Sequence, residues 1–172
     1  ALIGSAYGCW NAFHPVVKRI EIPLENLPDA WRGRTIVQLS DVHLGHFHGL
    51  AAMERLAEKV NALRPDLVLI TGDLFDGMTD GMQDFEAPLK RLQARCGVYF
   101  VTGNHETYAG LRRCLDIVER AGIRVLMNEV VVVDGLYLMG IAYPGIRNRH
   151  EIRGLERMPS SASGRPPCLL LF

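Results

Sequence analysis

Residues 35–43 read TIVQLSDVH, residues 67–76 read LVLITGDLFD and residues 98–106 read VYFVTGNHE. In each stretch an apolar run with the character of a strand leads directly into side chains that carry oxygen or imidazole ligands. Open α/β sheets place their chemistry in the loops at the carboxyl ends of their strands. The three stretches therefore predict parallel strands whose end loops converge on one site.

Helices are predicted between and after these strands, in the order expected for repeated βα units. They cover residues 50–63, 84–95 and 108–120. The apolar residues at helical spacing, which are predicted to face the core, are Leu50, Met53, Leu56, Val60 and Leu63 in the first helix and Leu111, Leu115 and Val118 in the third.

From residue 123 onward the pattern changes to short strands. Residues 130–133 and 136–141 are predicted to form an antiparallel hairpin, because the Asp-Gly pair between them tolerates positive φ. Residues 142–167 are rich in Gly, Pro, Ser and Arg and are predicted as a long surface loop. A last buried strand is expected over residues 168–172.

The composition fits one globular domain without a strong electrostatic field. The chain has 172 residues, of which 48% are hydrophobic and 22% charged, and Lys plus Arg equals Asp plus Glu at 19 each. The chain lacks the overall positive charge that would indicate a nucleic-acid partner, so recognition of an anion has to be local. The four cysteines form no CxxC pair, which favours a role as small packing residues.

The N-terminal segment leaves two interpretations open. Residues 1–17 carry no charged side chain and precede a Lys-Arg pair, and the chain begins with Ala1, as in a processed chain or an excerpt. Residues 1–15 are either the remnant of a membrane anchor, giving membrane association through the N-terminus, or an apolar leader folded onto a soluble cytoplasmic domain. Residues 16–172 are assigned to the folded domain, beginning with an edge strand over residues 16–22.

The side chains in the three motifs form a mixed set of oxygen and nitrogen donors. Asp41 and His43 can be aimed at one ion, Asp73 can bridge two ions with its two oxygens, and Asn104 supplies a neutral oxygen. Such a set suits Mn, Fe, Zn or Mg. Two divalent ions about 3.5–4 Å apart can clamp a phosphoryl group and acidify a bridging water.

Together, Asp-x-His, Gly-Asp-x-x-Asp and Gly-Asn-His-Glu resemble the motifs of the calcineurin-like metallophosphoesterases. The resemblance implies a four-layer α/β/β/α sandwich of two mixed sheets, with two divalent metal ions. It makes Asp41 and His43 ligands of one metal, Asp73 the bridging ligand and Asn104 a ligand of the second metal. The implied reaction is hydrolysis of a phosphoester by a metal-bridging hydroxide.

The resemblance assigns catalytic roles to two further residues. His105 is expected to face the substrate rather than the metal, stabilising charge on phosphorus or protonating the leaving oxygen. Asp76 is expected to orient the His105 imidazole through a hydrogen bond. Asp76 is followed by Gly77, where the phosphoprotein phosphatases of the family carry arginine.

The string Ser-Asp-Val-His-Leu-Gly after an apolar leader is similar to the membrane-associated phosphodiesterase branch of the family. A phosphodiesterase or pyrophosphatase acting on a lipid-linked substrate is therefore the expected enzyme. Two later histidine motifs of the family are absent, so the chain is expected to be C-terminally truncated and to bind metal weakly by itself. The alternatives are a catalytically weak protein-interaction scaffold of the same fold and a mononuclear metal-binding domain, and the presence of His105 favours the enzyme.

Overall fold

The computed structural model describes residues 15–77, 80–145, 149–158 and 167–172. The predicted leader, residues 1–15, lies outside these ranges except for its last residue, so its two interpretations stay open. Within the described ranges, no helix has the length and hydrophobicity required to cross a bilayer.

The three opening stretches form neighbouring strands of one parallel sheet. The strands are β1 (Ile36–Leu39), β2 (Leu67–Thr71), β3 (Val98–Val101) and β4 (Arg124–Val125), in the order β1-β2-β3-β4. Because all neighbours are parallel, β1, β2 and β3 end at the same edge of the sheet. β2 is apolar at each of its first four positions, all of them buried, as expected for a central strand covered on both faces.

Among the described residues, four α-helices and several single turns of 3-10 helix lie before and between the strands. The α-helices are α1 (Leu50–Ala62), α2 (Glu86–Leu89), α3 (Asn104–Ala109) and α4 (Leu111–Arg120). The 3-10 turns are Asp29–Trp31, Met82–Phe85, Arg149–Glu151 and Leu155–Arg157. α1 buries Met53, Ala57 and Val60. The inner face of the helix thus includes Ala57, which was not among the predicted core residues, whereas Leu50, which was predicted to face the core, is exposed.

The predicted helix over residues 84–95 is wrong beyond Leu89. A 3-10 turn and the single turn of α2 replace it, and the chain then runs in an irregular path to β3. The side chain of Asn61 donates to the backbone oxygen of Arg91 (2.7 Å) and accepts from the backbone N–H of Gln93 (2.9 Å). These bonds hold the backbone of residues 91–93 away from a helical path.

The predicted helix over residues 108–120 is also different in the structure. Gly110, with φ of +93°, separates α3 from α4, and α3 begins inside the third motif. The buried face of α4 consists of Cys114, Ile117 and Val118 rather than Leu111 and Leu115. Burial raises the pKa of the Cys114 thiol to about 12, which fits the predicted packing role of the cysteines.

The second sheet contains the predicted hairpin. Its strands are β5 (Glu129–Val133), β6 (Leu136–Gly140) and β7 (Cys168–Leu171), with β5 antiparallel and β7 parallel to β6. Asp134 and Gly135 have φ of +47° and +85°, as the tight turn requires. The two-sheet architecture confirms the predicted α/β sandwich, although the first sheet is parallel rather than mixed within the described residues.

Two apolar cores hold the layers together. One lies between the helices and the first sheet and includes Met53, Ile70 and Phe100. The other lies between the two sheets. Its fully or nearly buried members are Trp31, Leu67, Leu69, Val101, Leu126, Leu136, Leu138 and Leu171.

The predicted edge strand over residues 16–22 is wrong, since the structure shows no strand there. Val16, Ile20 and Ile22 are exposed. An alternating pattern gives strand propensity, but a strand also needs a neighbour that offers free backbone hydrogen-bonding groups.

The carboxylate of Asp66 fixes the end of the first sheet opposite to the motif loops. It accepts hydrogen bonds from Arg34 Nη1 (2.8 Å), Arg95 Nε (2.9 Å) and the Thr35 N–H (3.0 Å). Partial burial works to raise the pKa of this carboxyl, but the Thr35 N–H and the two guanidinium groups outweigh it and hold the pKa below its usual value.

We expect Asp66→Asn to destabilise the domain at pH 7 by about 1–3 kcal/mol, because one carboxylate oxygen and its charge are lost. The lowered folded-state pKa means that the stabilisation by Asp66 is present above the unfolded pKa and is lost as the pH falls through the folded pKa. When urea unfolding is measured from pH 7 downward, the free energies of unfolding of the variant and the wild type should therefore become equal below about pH 4. Asp116→Asn, on the exposed side of α4, is the control and should change little; a constant Asp66→Asn difference across pH would contradict this account.

Gly140 in β6 lies where the two sheets approach closely. A Cβ atom at this position would lie 2.3 Å from Leu126 Cβ and 2.9 Å from Val101 Cγ1. We expect Gly140→Ala to cost about 1–3 kcal/mol through overpacking, measured as a lower urea midpoint. Gly49→Ala is the matched control, because a Cβ atom there meets nothing within 4 Å; equal effects of the two changes would exclude overpacking as the cause.

Candidate active site

The loops that follow β1 and β2 run side by side beyond the sheet. The His43 N–H donates to Asp73 O (3.0 Å), and the Leu44 N–H donates to Leu74 O (2.8 Å). The Asp76 N–H donates back to Leu44 O (3.0 Å). This continued pairing brings the first and second motifs together, as their positions at parallel strand ends predict.

Three of the predicted metal ligands have left-handed backbone conformations. Asp41, His43 and Asp73 have φ of +53°, +49° and +51°. Non-glycine residues rarely adopt this region, which costs of order 1 kcal/mol or more per residue. The surrounding structure holds the backbone in this conformation at three positions that carry donor side chains.

Glu106 joins the second and third motifs and is completely buried. Its carboxylate accepts hydrogen bonds from the N–H groups of Asp73 (3.1 Å), Phe75 (3.2 Å) and Gly103 (2.7 Å). Three donors satisfy a charge that would otherwise be costly to bury. The sequence analysis gave Glu106 no role, although its position three residues after Gly103 is the capping-box spacing for the start of a helix.

Gly103 allows the third motif to approach Asp73. The His105 N–H donates to Asp73 Oδ1 (3.0 Å), which fixes one carboxylate oxygen against the start of α3. A Cβ atom on Gly103 would lie 2.2 Å from that same oxygen. A Cβ atom on Gly72 would lie 2.9 Å from Gly103 Cα, so both glycines are required by this close approach.

Donor atoms from all three loops converge on one point. The donor atoms of His43, Asp73 and His105 all lie within 4.8 Å of one another. The rings of His43 and His105 are edge to face, with centroids 4.5 Å apart and an interplanar angle of 85°. Two imidazoles and a carboxylate are a donor set that divalent Mn, Fe or Zn accepts. The buried His105 Nδ1 has no hydrogen-bond partner in the described part of the chain, so the residues present fit a metal centre.

The other two predicted ligands border this cluster. The Asp41 carboxylate is exposed, lies 3.9 Å from His43 Nε2 and accepts a hydrogen bond from the Ser40 hydroxyl. Asn104 occupies the first position of α3, between Gly103 and His105. His105 is also a member of the cluster of donor atoms. The resemblance implies that His105 faces the substrate rather than the metal, and this role stays a prediction.

Asp76 lies beside the loop that follows the first motif. Its carboxylate accepts a hydrogen bond from the His46 N–H (3.0 Å). A Cβ atom on Gly45 would lie 1.9 Å from Asp76 Oδ2, so the loop needs glycine there. A hydrogen bond from the His105 ring to the Asp76 carboxylate stays a prediction.

The fold and this cluster define a class of protein: an α/β sandwich with histidine and carboxylate groups gathered at the strand ends in an arrangement that could hold a metal ion. The family model described as calcineurin-like phosphoesterase matches residues 34–158, and the chain belongs to that family.

Several curated proteins are similar to the chain. A transmembrane protein with metallophosphoesterase domain from Danio rerio is 39% identical over 73% of this chain and 29% of its own length. The protein of the same name from Bos taurus is 43% identical over 60% of this chain and 24% of its own length. An uncharacterized metallophosphoesterase from Helicobacter pylori is 31% identical over 77% of this chain and 36% of its own length. The chain thus spans roughly a quarter to a third of the length of these relatives.

We expect Glu106→Gln to loosen the junction between the second and third motifs. Glutamine keeps the shape but has one acceptor oxygen for three buried N–H donors, so the change should cost about 2–4 kcal/mol. Hydrogen exchange should accelerate at the amides of Asp73, Phe75 and Gly103 more than at core amides of β2. Glu54→Gln is the control, because that carboxylate is half exposed and contacts Arg91 at the surface; uniform acceleration in Glu106→Gln would count against a local clamp.

Proposed function

We propose that the chain carries part of the active site of a metal-dependent phosphoester hydrolase, including four of its metal ligands. The observation that carries the proposal is the convergence of His43, Asp73 and His105 from three strand ends in a member of the calcineurin-like phosphoesterase family. A structural role would not require donor side chains at three strand ends, nor the left-handed backbone conformations of Asp41, His43 and Asp73.

In this proposal Asp41, His43, Asp73 and Asn104 hold two divalent metal ions, with Asp73 shared between them. When bound, such ions polarise a phosphoryl oxygen and lower the pKa of a coordinated water. The backbone bond from the His105 N–H to Asp73 Oδ1 keeps one carboxylate oxygen fixed, which supports a bridging role for that side chain. Asp41 is exposed enough to change its position when a cation arrives.

His105 is the proposed proton donor to the leaving oxygen. The start of α3 is fixed by Glu106 and Asp73, so the position of the His105 backbone is defined before substrate binds. Asp76 is proposed to orient the imidazole, because a carboxylate on one ring nitrogen selects the tautomer that carries the proton on the other. His43 packs against the His105 ring and limits its rotation.

The finer form of the proposal is a phosphodiesterase or pyrophosphatase that acts on a lipid-linked substrate at a membrane, with manganese as one candidate metal. The names of the fish and cattle relatives, which include the word transmembrane, support the membrane association. Gly77 follows Asp76 at the position where the phosphoprotein phosphatases of the family carry arginine. The lack of this positive side chain favours a substrate other than a phosphoprotein.

Substitution of His105 and Asp73 separates turnover from metal binding. In the complete protein, His105→Ala should keep its metal and lose about 10²–10⁴-fold in turnover, because only the proton transfer is removed. Asp73→Asn should lose metal and turnover together, since an amide has one acceptor oxygen and no charge. Metal content and hydrolysis of bis-p-nitrophenyl phosphate and p-nitrophenyl phosphate with added Mn²⁺ are the measurements.

Asp116→Asn, on α4, is the matched control and should keep both properties. Equal loss of metal in His105→Ala would make His105 a ligand and would contradict its role as proton donor. The absence of metal-dependent hydrolysis of either ester by the wild type would leave the protein-interaction scaffold as the better interpretation.

A further inference from the structure

Two large aromatic side chains near the candidate site are left in water. Tyr108 is 67% exposed and Phe47 is 81% exposed. A single exposed apolar residue is ordinary, but two aromatic rings beside one chemical site form a surface suited to an apolar ligand.

Tyr108 is part of the helix that carries His105. It follows His105 by three residues in α3, which places the two side chains on the same face of that helix. Their ring centroids are 5.7 Å apart with an interplanar angle of 67°. The opposite face of α3 is buried through Glu106 and Ala109, so α3 cannot rotate to cover the Tyr108 ring without breaking the Glu106 contacts.

Phe47 belongs to a different loop, whose backbone is hydrogen-bonded to the second motif. The turn over residues 45–48 is closed by the bond from the Gly45 N–H to His48 O (3.0 Å), and the His46 N–H fixes it to the Asp76 carboxylate (3.0 Å). The next residue after Asp76 is Gly77, where a Cβ atom would lie 3.9 Å from both His105 Nδ1 and Tyr108 Cβ. The loop of Phe47 is thus connected by one carboxylate to the segment that borders His105 and Tyr108.

We propose that Tyr108, together with Phe47 of the loop that follows the first motif, forms an apolar subsite for the organic group of the phosphoester, so that the site selects esters with an apolar group next to the phosphorus. The proposal rests on the proposed function, because the subsite is defined by its distance from His105. The organic group is either a flat ring, which stacks on Tyr108, or an alkyl chain, which covers both rings. Both have the same apolar chemistry, and the experiment distinguishes them.

The test varies the group that stays on phosphorus while the leaving group is constant. Phenyl, octyl and methyl p-nitrophenyl phosphate all release nitrophenolate, and kcat/KM is measured for each with the Mn²⁺-loaded complete protein. We expect the phenyl or octyl ester to be preferred to the methyl ester by about 3- to 10-fold. Tyr108→Ala should lower kcat/KM for the phenyl and octyl esters more than for the methyl ester, so that most of the preference disappears. A wild-type preference for phenyl identifies a ring as the organic group, and a preference for octyl identifies a chain.

Conservative variants separate the subsite from a merely structural role. Tyr108→Phe should keep the preference, since the ring remains, whereas Phe47→Ala should reduce it. Tyr137→Phe is the control, because Tyr137 lies in β6 of the second sheet and its hydroxyl donates to Arg157 O. This change should leave the preference unchanged. Equal ratios in the wild type and in Tyr108→Ala would overturn the proposal.

A binding measurement keeps the two proposals distinct. Phenylphosphonate and octylphosphonate should bind the Mn²⁺-loaded protein more tightly than methylphosphonate by a similar factor, measured calorimetrically, with the loss again in Tyr108→Ala. Absence of hydrolysis together with this binding preference would refute the enzyme and keep the subsite. Hydrolysis without any preference, in rates or in binding, would keep the enzyme and refute the subsite.

Discussion

The site depends on one buried carboxylate. Glu106 accepts three backbone N–H groups, two from the loop after β2 and one from the loop after β3. Without it those donors would be buried between two loops that meet closely only because both are rich in glycine. The positions of Asp73 and His105 relative to each other follow from this contact, since the His105 N–H and the Asp73 side chain share the same junction.

Around this junction, backbone strain and hydrogen bonding act together. Asp41, His43 and Asp73 adopt left-handed conformations, which local sequence preference alone would not select. The bonds between the first two loops and the Glu106 contacts hold these conformations in the folded state. Stability gained elsewhere, in the two apolar cores, therefore maintains an arrangement of donor side chains that is locally unfavourable.

The strands of the first sheet and the hairpin were predictable because their signals are local. Residues 67–70 are an unbroken apolar run, and Asp134-Gly135 has few alternatives to a tight turn. The prediction of a helix over residues 84–95 was wrong because the side chain of Asn61, some 30 residues earlier, makes hydrogen bonds with the backbone of Arg91 and Gln93. The prediction of a strand over residues 16–22 was wrong because a strand forms only when a second segment offers free backbone groups to pair with, and the sequence of one segment does not show this. Glu106 was missed because two of its three partners, the N–H groups of Asp73 and Phe75, lie in another loop.

The donor groups of the site come from segments that lie far apart in the chain. The bonds from Asp73 and Phe75 to Glu106 and from His105 to Asp73 each connect residues 31–33 positions apart. No short peptide cut from this protein can reproduce the donor cluster, because the cluster exists only when β2 and β3 are paired. Occupancy of the site by a cation would then report on the pairing of the two central strands, and cation affinity becomes a measure of folding as much as of chemistry.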